Sequence, residues 1–249
     1  MVVAEQIHQL PRQPQVAAAV NSQQLSIIVP ALNEADSILS FCDALQPLRQ
    51  RGHEVILVDG GSIDQTMALA QPYVDKVIDA PRGRALQMRA GAAVAEGAVF
   101  WFLHADTGVP ENADQLILAA LGTGDAAWGR FDVTLSDQHP VLKCVAWVMN
   151  LRSSVTAIAT GDQGIFVRRS LYEQVGGIPP IPLMEDIAFS RALKARSRPA
   201  CLDQQLITSA RRWKKHGIIR TIVTMWGLRL AYYCGVSPQR LVKYYAADS

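Results

Sequence analysis

The chain has 249 residues, 49% of them hydrophobic and 18% charged, which is ordinary for a globular protein with one large domain or two small ones. Its 24 basic and 22 acidic residues leave a formal net charge of +2, so no strong positive field argues for nucleic acid as a partner. Four widely spaced cysteines form no C-x-x-C pair, which argues against a zinc ribbon or a disulfide framework and fits a reducing cytoplasm.

Residues 1–24 are rich in Gln, Pro and Ala and lack the basic start and long apolar core of a signal peptide. We interpret them as a loose leader. From Leu25 onward, short apolar runs alternate with helical patterns. The predicted strands of this half are "LSIIVP", "HEVILVDGGS", "DKVIDAP" and "AVFWFLHADT". Helices are predicted from about Asp36 to Arg51, after Asp64, which is placed to cap one, and over "RALQMRAGAAVAEG".

The second half of the chain is less regular. It offers a strand in "AAWGRFDVTL", a mostly apolar helix in "HPVLKCVAWVMNLRSSVTAIAT", a turn and strand in "GDQGIFVRR", and a helix in "LMEDIAFSRALKAR". Strands that are nearly continuously apolar and alternate with helices are typical of a parallel sheet covered on both faces. No internal repeat or Ser/Gly linker is present, so the two halves are expected to share one core.

Polar residues directly after the strands are the first candidates for a site, because ligands of open α/β sheets bind outside the carboxyl ends of the strands. These residues are Asn33, Glu34, Asp59, Ser62, Arg82, Arg84, His104 and Asp106. Each motif is weak evidence alone, since an Asp-Gly-Gly turn such as "VDGGS" is common for backbone reasons.

Five motifs occur together and in order: "VPALNE", "LVDGGSIDQT", "FLHADT", "GDQGIFVRR" and "MEDIAFS". With them the chain resembles the family 2 glycosyltransferases, which have the GT-A fold, over about residues 25–196. The family's Pro-x-x-Asn-Glu, Val-Asp-Asp-Gly-Ser-x-Asp-x-Thr and Asp-x-Asp motifs match Pro30–Glu34, Val58–Thr66 and His104–Asp106. Gly60 and His104 depart from these motifs. With "SARRW" added, the set is similar to a small bacterial single-domain subgroup that often carries the His-Ala-Asp form.

The resemblance implies a mostly parallel central sheet with helices on both faces. Residues 25–213 would form the glycosyltransferase domain, and residues 214–249 would form amphipathic helices packed on it or at an interface. It also implies a nucleoside diphosphate sugar as donor and a divalent metal, Mg²⁺ or Mn²⁺, that stabilises the growing charge of the diphosphate leaving group. The acceptor is not indicated.

For the metal, the resemblance implies Asp106 as the ligand, since one carboxylate suffices when diphosphate oxygens and water complete the shell. His104 is open to three interpretations: a second ligand acceptable to Mn²⁺, a hydrogen-bonding partner of the ribose or a phosphate, or a strand-end cap.

For the donor, the resemblance implies contacts from Pro30, Asn33, Glu34, Asp59, Arg82, Arg84, His104 and Arg212. Asp59 would accept from the nucleobase ring N–H, and Glu34 would lie near the base or ribose. The segment "PRGRALQMRAGA" itself places Arg82, Arg84 and Arg89 at a helix start, where arginine forks and free N–H groups favour phosphate; the alternative is that one or two of them are simply solvated. Arg212 and Trp213 resemble the Gln-x-x-Arg-Trp motif of processive relatives, although Ser209 stands in place of the Gln.

The acceptor hydroxyl must lose a proton, and in an inverting reaction the base lies opposite the leaving group. By resemblance to the family's Glu-Asp pair, Asp186 is the base and Glu185 positions the acceptor. Two other classes stay open: a sugar-phosphate nucleotidyltransferase, whose usual Gly-rich loop is missing from "VPALNEADS", and a non-catalytic nucleotide-sugar binding scaffold.

From Gly217 to Gly235 the chain is long and apolar, but Arg220 and Arg229 interrupt it. A membrane span needs ~20 nearly uncharged residues, so a span is not predicted. The run can instead be an interfacial helix in peripheral contact with a membrane, or a helix packed on the domain or on a second subunit of a homo-oligomer.

Overall fold

The computed structural model describes residues 23–122 and 124–247, so the predicted loose leader lies outside the described residues except for its last two. The strands are β1 (Leu25–Ala31), β2 (Glu54–Asp59), β3 (Lys76–Asp79), β4 (Val99–Phe102), β5 (Trp128–Leu135), β6 (Phe166–Arg168) and β7 (Ala200–Thr208). The helices are α1 (Ala35–Gln50), α2 (Thr66–Ala70), α3 (Arg84–Val94), α4 (Ala113–Gly122), α5 (Pro140–Thr156), α6 (Arg169–Gln174), α7 (Glu185–Lys194), α8 (Arg211–His216), α9 (Ile218–Tyr233) and α10 (Pro238–Ala247).

The strands form one sheet in the order β3-β2-β1-β4-β6-β5-β7. Pairing is parallel between β1 and β2, β1 and β4, β2 and β3, and β5 and β7. Only β6 among these strands runs antiparallel to its neighbours, β4 and β5. The predicted mixed α/β fold with a mostly parallel sheet is therefore confirmed.

Both faces of the sheet are covered, because successive side chains of a strand point to opposite sides. In β1, Ile27 and Val29 pack in one core with Leu45 of α1, whereas Ile28 packs in a second core with Ala92 of α3. Helices α2 and α4 also join the first core, and α6 and α7 join the second. This layering leaves the carboxyl ends of the parallel strands open at one edge.

Two predicted helices are shorter than the sequence suggested. The helix predicted over "HPVLKCVAWVMNLRSSVTAIAT" ends at Thr156 because Ala157 has a φ of 56°, in the left-handed region. The helix predicted over "LMEDIAFSRALKAR" starts at Glu185 because Met184 has a φ of 66°. Since L-residues adopt this region only at a cost, such positions interrupt a helix.

The C-terminal helices are anchored by a small apolar cluster in which Leu228 of α9 and Leu241 of α10 meet Ile187 of α7. On its other side α9 exposes Ile219, Val223, Trp226, Leu230 and Tyr233. None of the helices within the described ranges combines the length and apolar character that a membrane crossing requires. A peripheral membrane contact and a homo-oligomer interface remain predictions for this surface.

Candidate active site

A cleft opens at the carboxyl ends of β1 and β4, beside the loop before α3. It consists of a large cavity of about 850 Å³ and an adjoining inner cavity of about 210 Å³. The large cavity is bordered by the end of β1, including Pro30 and Glu34, and by the loop before α3, including Arg82. Both cavities are lined by Arg84, His104, Asp106, Leu183, Glu185 and Tyr245. A ligand can therefore extend from one cavity into the other.

Asp59 is buried at the end of β2, and its carboxylate accepts hydrogen bonds from the turn that follows the strand. Its Oδ2 accepts hydrogen bonds from the backbone N–H groups of Gly61 and Ser62, at 2.8 and 2.7 Å. Its Oδ1 accepts from the Ser62 hydroxyl. Asp59 lines neither cavity, so its observed role is to shape the turn, and contact with a nucleobase stays a prediction.

Asn33 ties the first motif to the second. It has a φ of 53°, which Asn tolerates better than most residues. Its backbone N–H donates to the Ser62 hydroxyl at 2.9 Å, and its Oδ1 accepts from the N–H of Ile63 at 2.9 Å. The exposed Asn33 thus stands outside the cavity walls, where it positions the neighbouring Glu34.

Gly60 stands where the family has a second aspartate, and the structure gives a physical reason. The buried Gln87 of α3 donates from Nε2 to the carbonyl oxygens of Ala31 and Val58, at 2.8 and 2.9 Å. A Cβ at position 60 would lie 2.9 Å from that Nε2. The Gln87 side chain and a side chain at position 60 therefore compete for the same space.

His104 follows β4 and is held by the segment around a 3₁₀ turn at Gly161–Gln163. Its Nδ1 lies 3.3 Å from Oδ1 of Asp162. Its ring packs against Gly161, where a Cβ would come within 2.7 Å of Nε2. Burial opposes ionisation of Asp162, but the hydrogen bond and charge of His104 and the nearby Arg84 and Arg229 outweigh it and lower its pKa to about 2.

Asp106 faces Arg211, whose Nη2 lies 3.4 Å from Asp106 Oδ2 and 2.7 Å from Glu34 Oε2. Within residues 23–122 and 124–247, no three His, Cys, Asp or Glu side chains are grouped so that they could hold a metal ion. The available donors are the Asp106 carboxylate with the His104 imidazole nearby. Such a set fits a divalent cation when diphosphate oxygens complete the coordination.

Glu185 and Asp186 begin α7 at the junction of the cavities. Asp186 Oδ2 accepts from the N–H of Gly161 at 3.1 Å, and its Oδ1 accepts from the N–H of Ile187 at 2.7 Å. Glu185 is buried, and burial together with the charge of Asp186 raises its pKa. The site thus combines a hydrogen-bonded carboxylate with a carboxyl group that resists ionisation.

Of the predicted phosphate-binding arginines, Arg82, Arg84 and Arg212 line the cleft, whereas Arg89 does not. Arg84 Nη2 and Arg212 Nη1 both hydrogen-bond the hydroxyl of Tyr245, and the Arg212 guanidinium lies 4.1 Å from the centre of that ring. Arg82 borders the large cavity. Arg89 is not part of the site, because its Nη1 donates to the carbonyl oxygens of Gly176 and Ile178.

Three residues of the cleft were missed by reasoning from sequence. Arg211, next to the predicted Arg212 in "SARRW", contacts both Glu34 and Asp106. Arg229 and Tyr245 reach the inner cavity from α9 and α10. The double arginine was a usable signal, whereas nothing in the sequence indicated that the last helices fold back onto the cleft.

A family model described as glycosyl transferase family 2 matches residues 26–154, just over half of the 249 residues. The comparison with curated proteins gave no match. Among solved structures, S. aureus TarS 1-349 in complex with UDP-GlcNAc has a TM-score of 0.63 and 19% identity, with 76% of this chain and 59% of that chain covered. This chain thus spans less than two thirds of that TarS chain.

A second similar structure is glucosyl-3-phosphoglycerate synthase from Mycobacterium tuberculosis in complex with Mn²⁺, UDP and phosphoglyceric acid. It has a TM-score of 0.60 and 17% identity, with 86% of this chain and 79% of that chain covered. At identities this low, the likeness shows the fold alone.

Proposed function

Because the chain belongs to glycosyltransferase family 2 and has its GT-A fold, we propose that it transfers a sugar from a nucleoside diphosphate sugar to an acceptor hydroxyl. The transfer inverts the anomeric centre and depends on a divalent metal. One observation carries this proposal: Asp106, the arginines and the Glu185–Asp186 pair line one continuous cleft. We assign the catalytic domain to residues 25–213 and residues 214–249 to a C-terminal segment of amphipathic helices, whose described part, residues 214–247, packs against that domain.

The donor occupies the large cavity, with its diphosphate toward Asp106, Arg84 and Arg212. Asp106 would hold a divalent cation, Mg²⁺ or Mn²⁺, which when bound would supply positive charge that stabilises the diphosphate leaving group. Arginine forks bind phosphate oxygens in pairs and strengthen this effect. Two observations on other proteins support the assignment: the TarS structure contains UDP-GlcNAc, and the synthase structure contains Mn²⁺ with UDP.

The acceptor enters through the inner cavity, where Asp186 is the general base. Its two oxygens are oriented by the N–H groups of Gly161 and Ile187, so the carboxylate is fixed before substrate arrives. As the acceptor oxygen attacks the anomeric carbon, its proton passes to Asp186 and the diphosphate leaves. Glu185, which lines both cavities beside Asp186, positions the acceptor.

The test compares wild type with Asp186→Asn and, as a matched control, with Asp203→Asn on the exposed part of β7. Calorimetry with several nucleoside diphosphates, with and without Mn²⁺, measures binding. Release of nucleoside diphosphate from nucleotide sugars measures turnover. We expect Asp186→Asn to lower turnover by ~10²–10⁴-fold, the usual contribution of a general base, while binding persists. Asp203→Asn should leave both unchanged.

The alternatives give different results. Metal-dependent binding without turnover of any nucleotide sugar by wild type would indicate a scaffold. Formation of a nucleotide sugar from a sugar phosphate and a nucleoside triphosphate would indicate a nucleotidyltransferase. Turnover retained in Asp186→Asn would remove Asp186 from the role of base.

A further inference from the structure

The inner cavity is walled by one face of α9. Thr221, Met225 and Arg229 line it and are spaced four residues apart, so they lie on the same side of the helix. Met149 of α5 and Asp186 of α7 line the cavity as well. Arg229 therefore presents a cation to the same enclosed space as the proposed base.

Arg229 is unlike the other arginines of the cleft. Arg84 and Arg212 hydrogen-bond Tyr245, and Arg211 is paired with Glu34. Arg229 lines the cavity without a hydrogen bond or ion pair to any residue in the described ranges. Its guanidinium has five N–H donors that no protein group in those ranges satisfies.

Arg152 of α5 is a second cation in this part of the molecule. Arg152 follows Met149 by three residues on α5, so the two lie on one face of that helix. Its Nε and Nη2 are buried and have no hydrogen-bond partner among the described residues. Burial and then the charge of Arg229 lower the pKa of Arg152 to about 10, so the positive charges of the two side chains repel each other.

The nearby carboxylates do not resolve this arrangement. Asp162 lines the same cavity and its pKa is lowered in part by the charge of Arg229, but no hydrogen bond or ion pair joins the two among the described residues. Asp186 attracts Arg152 over distance, but its oxygens accept hydrogen bonds from the backbone N–H groups of Gly161 and Ile187. Burying a cation without a hydrogen-bonded anion is costly, and two adjacent cations add repulsion. An anion bound in the cavity would supply the partner that Arg229 lacks and would offset the positive charge of Arg152.

We propose that the acceptor carries an anionic group, a carboxylate or a phosphate ester, which Arg229 binds with Arg152 behind it. This inference rests on the proposed function. Arginine binds both anions through paired N–H groups. The acceptor anion and the donor diphosphate then use different arginines: Arg229 and Arg152 for the acceptor, Arg84 and Arg212 for the donor. A cavity of about 210 Å³ suits a small acceptor.

The experiment uses the full chain with its diphosphate site filled. Protein is saturated with Mn²⁺ and the nucleoside diphosphate that binds most tightly in a screen, then titrated with glycerol, glycerate or glycerol phosphate. We expect glycerate or glycerol phosphate to bind at least tenfold more tightly than glycerol, and the tighter of the two identifies the anion. Arg229→Gln should remove that preference, whereas Arg191→Gln, at an exposed position of α7, should retain it.

Two outcomes would overturn the proposal while leaving the proposed function intact. One is that neither anionic probe binds more tightly than glycerol although nucleoside diphosphate binds. The other is that Arg229→Gln retains the preference. If no nucleoside diphosphate binds wild type, both the inference and the proposed function fail. Arg152→Met supplies a second variant: it should lose the anion preference yet unfold at a higher temperature than wild type, because it removes a buried unpaired cation.

Discussion

By resemblance, Asp106 and His104 correspond to the family's Asp-x-Asp motif. Their surroundings in the structure differ. Asp106 is a half-buried carboxylate that faces the cleft and contacts Arg211. His104 is fixed between Asp162 and Gly161. A carboxylate behind an imidazole orients the ring and is a common arrangement around metal-binding histidines. The same carboxylate–imidazole contact also suits a histidine with a purely structural role.

Asp106→Ala is expected to weaken metal-dependent binding of nucleoside diphosphate by tenfold or more, because it removes the carboxylate proposed to anchor the cation. Calorimetry in Mn²⁺, in Mg²⁺ and without metal measures this, with Asp203→Ala as the control at an exposed position. Undiminished metal dependence in Asp106→Ala would contradict the assignment.

His104→Ala in the same assay separates the interpretations of His104. A preference for Mn²⁺ over Mg²⁺ that disappears in the variant assigns His104 as a ligand. An equal loss with both metals excludes the ligand role and leaves a hydrogen bond to the ribose or a phosphate, or the role of holding Asp162 and the loop at Gly161.

Individual residues also show what a sequence motif cannot reveal. Four residues that the motifs singled out, Glu34, Arg84, His104 and Glu185, line the large cavity, and their roles stay predictions. The motifs did not reveal that both carboxylate oxygens of Asp59 accept hydrogen bonds from the turn that follows it. That outcome depends on hydrogen bonds formed only after the turn has folded.

At the scale of single elements, α10 is the feature with the clearest consequence for the site. Its Tyr245 hydroxyl contacts Arg84 and Arg212, the two arginines proposed to hold the diphosphate. A diphosphate must compete with this hydroxyl for the same N–H donors. If the diphosphate binds these arginines as proposed, we expect the helix to lower the affinity of the unliganded site for the donor.

Tyr245→Phe should tighten the binding of nucleoside diphosphate by ~3–10-fold, since a hydrogen bond is typically worth ~0.5–1.5 kcal/mol. The ring, and with it the stacking on Arg212, is retained. Tyr244→Phe is the matched control, because Tyr244 is the exposed neighbour on the same helix. Weaker binding in Tyr245→Phe would mean instead that the hydroxyl contacts the ligand.

The elements of the first half could be predicted because buried parallel strands are continuous apolar runs. Strand β7 has no such run: it lies at the edge of the sheet, and several of its side chains are exposed. The antiparallel insertion of β6 between β4 and β5 could not be read from its three residues either. Both depend on pairing between segments far apart in the chain.

Across the whole molecule, the unliganded cleft holds charge that its own residues do not balance. Arg229 lines the inner cavity and its charge lowers the pKa of Arg152, and Glu185 is buried beside Asp186. Such clusters cost stability in the free protein and are relieved when a ligand of opposite charge binds. Stability is therefore expected to be lower than the apolar core alone would give.

Glu185→Gln should raise the melting temperature of the ligand-free protein at pH 7.5. The pKa of Glu185 is raised above its ordinary value of 4.5 by burial and by Asp186, so ionisation is easier in the unfolded chain than in the folded one. Between 4.5 and the raised value the folded state binds more protons, and stability falls as pH rises through that interval. Glutamine keeps the shape of the glutamate side chain. Because it does not ionise, it removes this loss of stability at high pH.

Thermal unfolding of wild type and variant from pH 5 to pH 8 measures the difference, and ~1 kcal/mol corresponds to ~2–4 °C for a chain of this size. The variant should gain most at high pH, with the two curves converging as pH falls toward 4.5. Asp162, whose lowered pKa adds stability that is lost only toward pH 2, does not act in this range. Parallel curves would show instead that Arg84 balances the ionised Glu185 in the folded state.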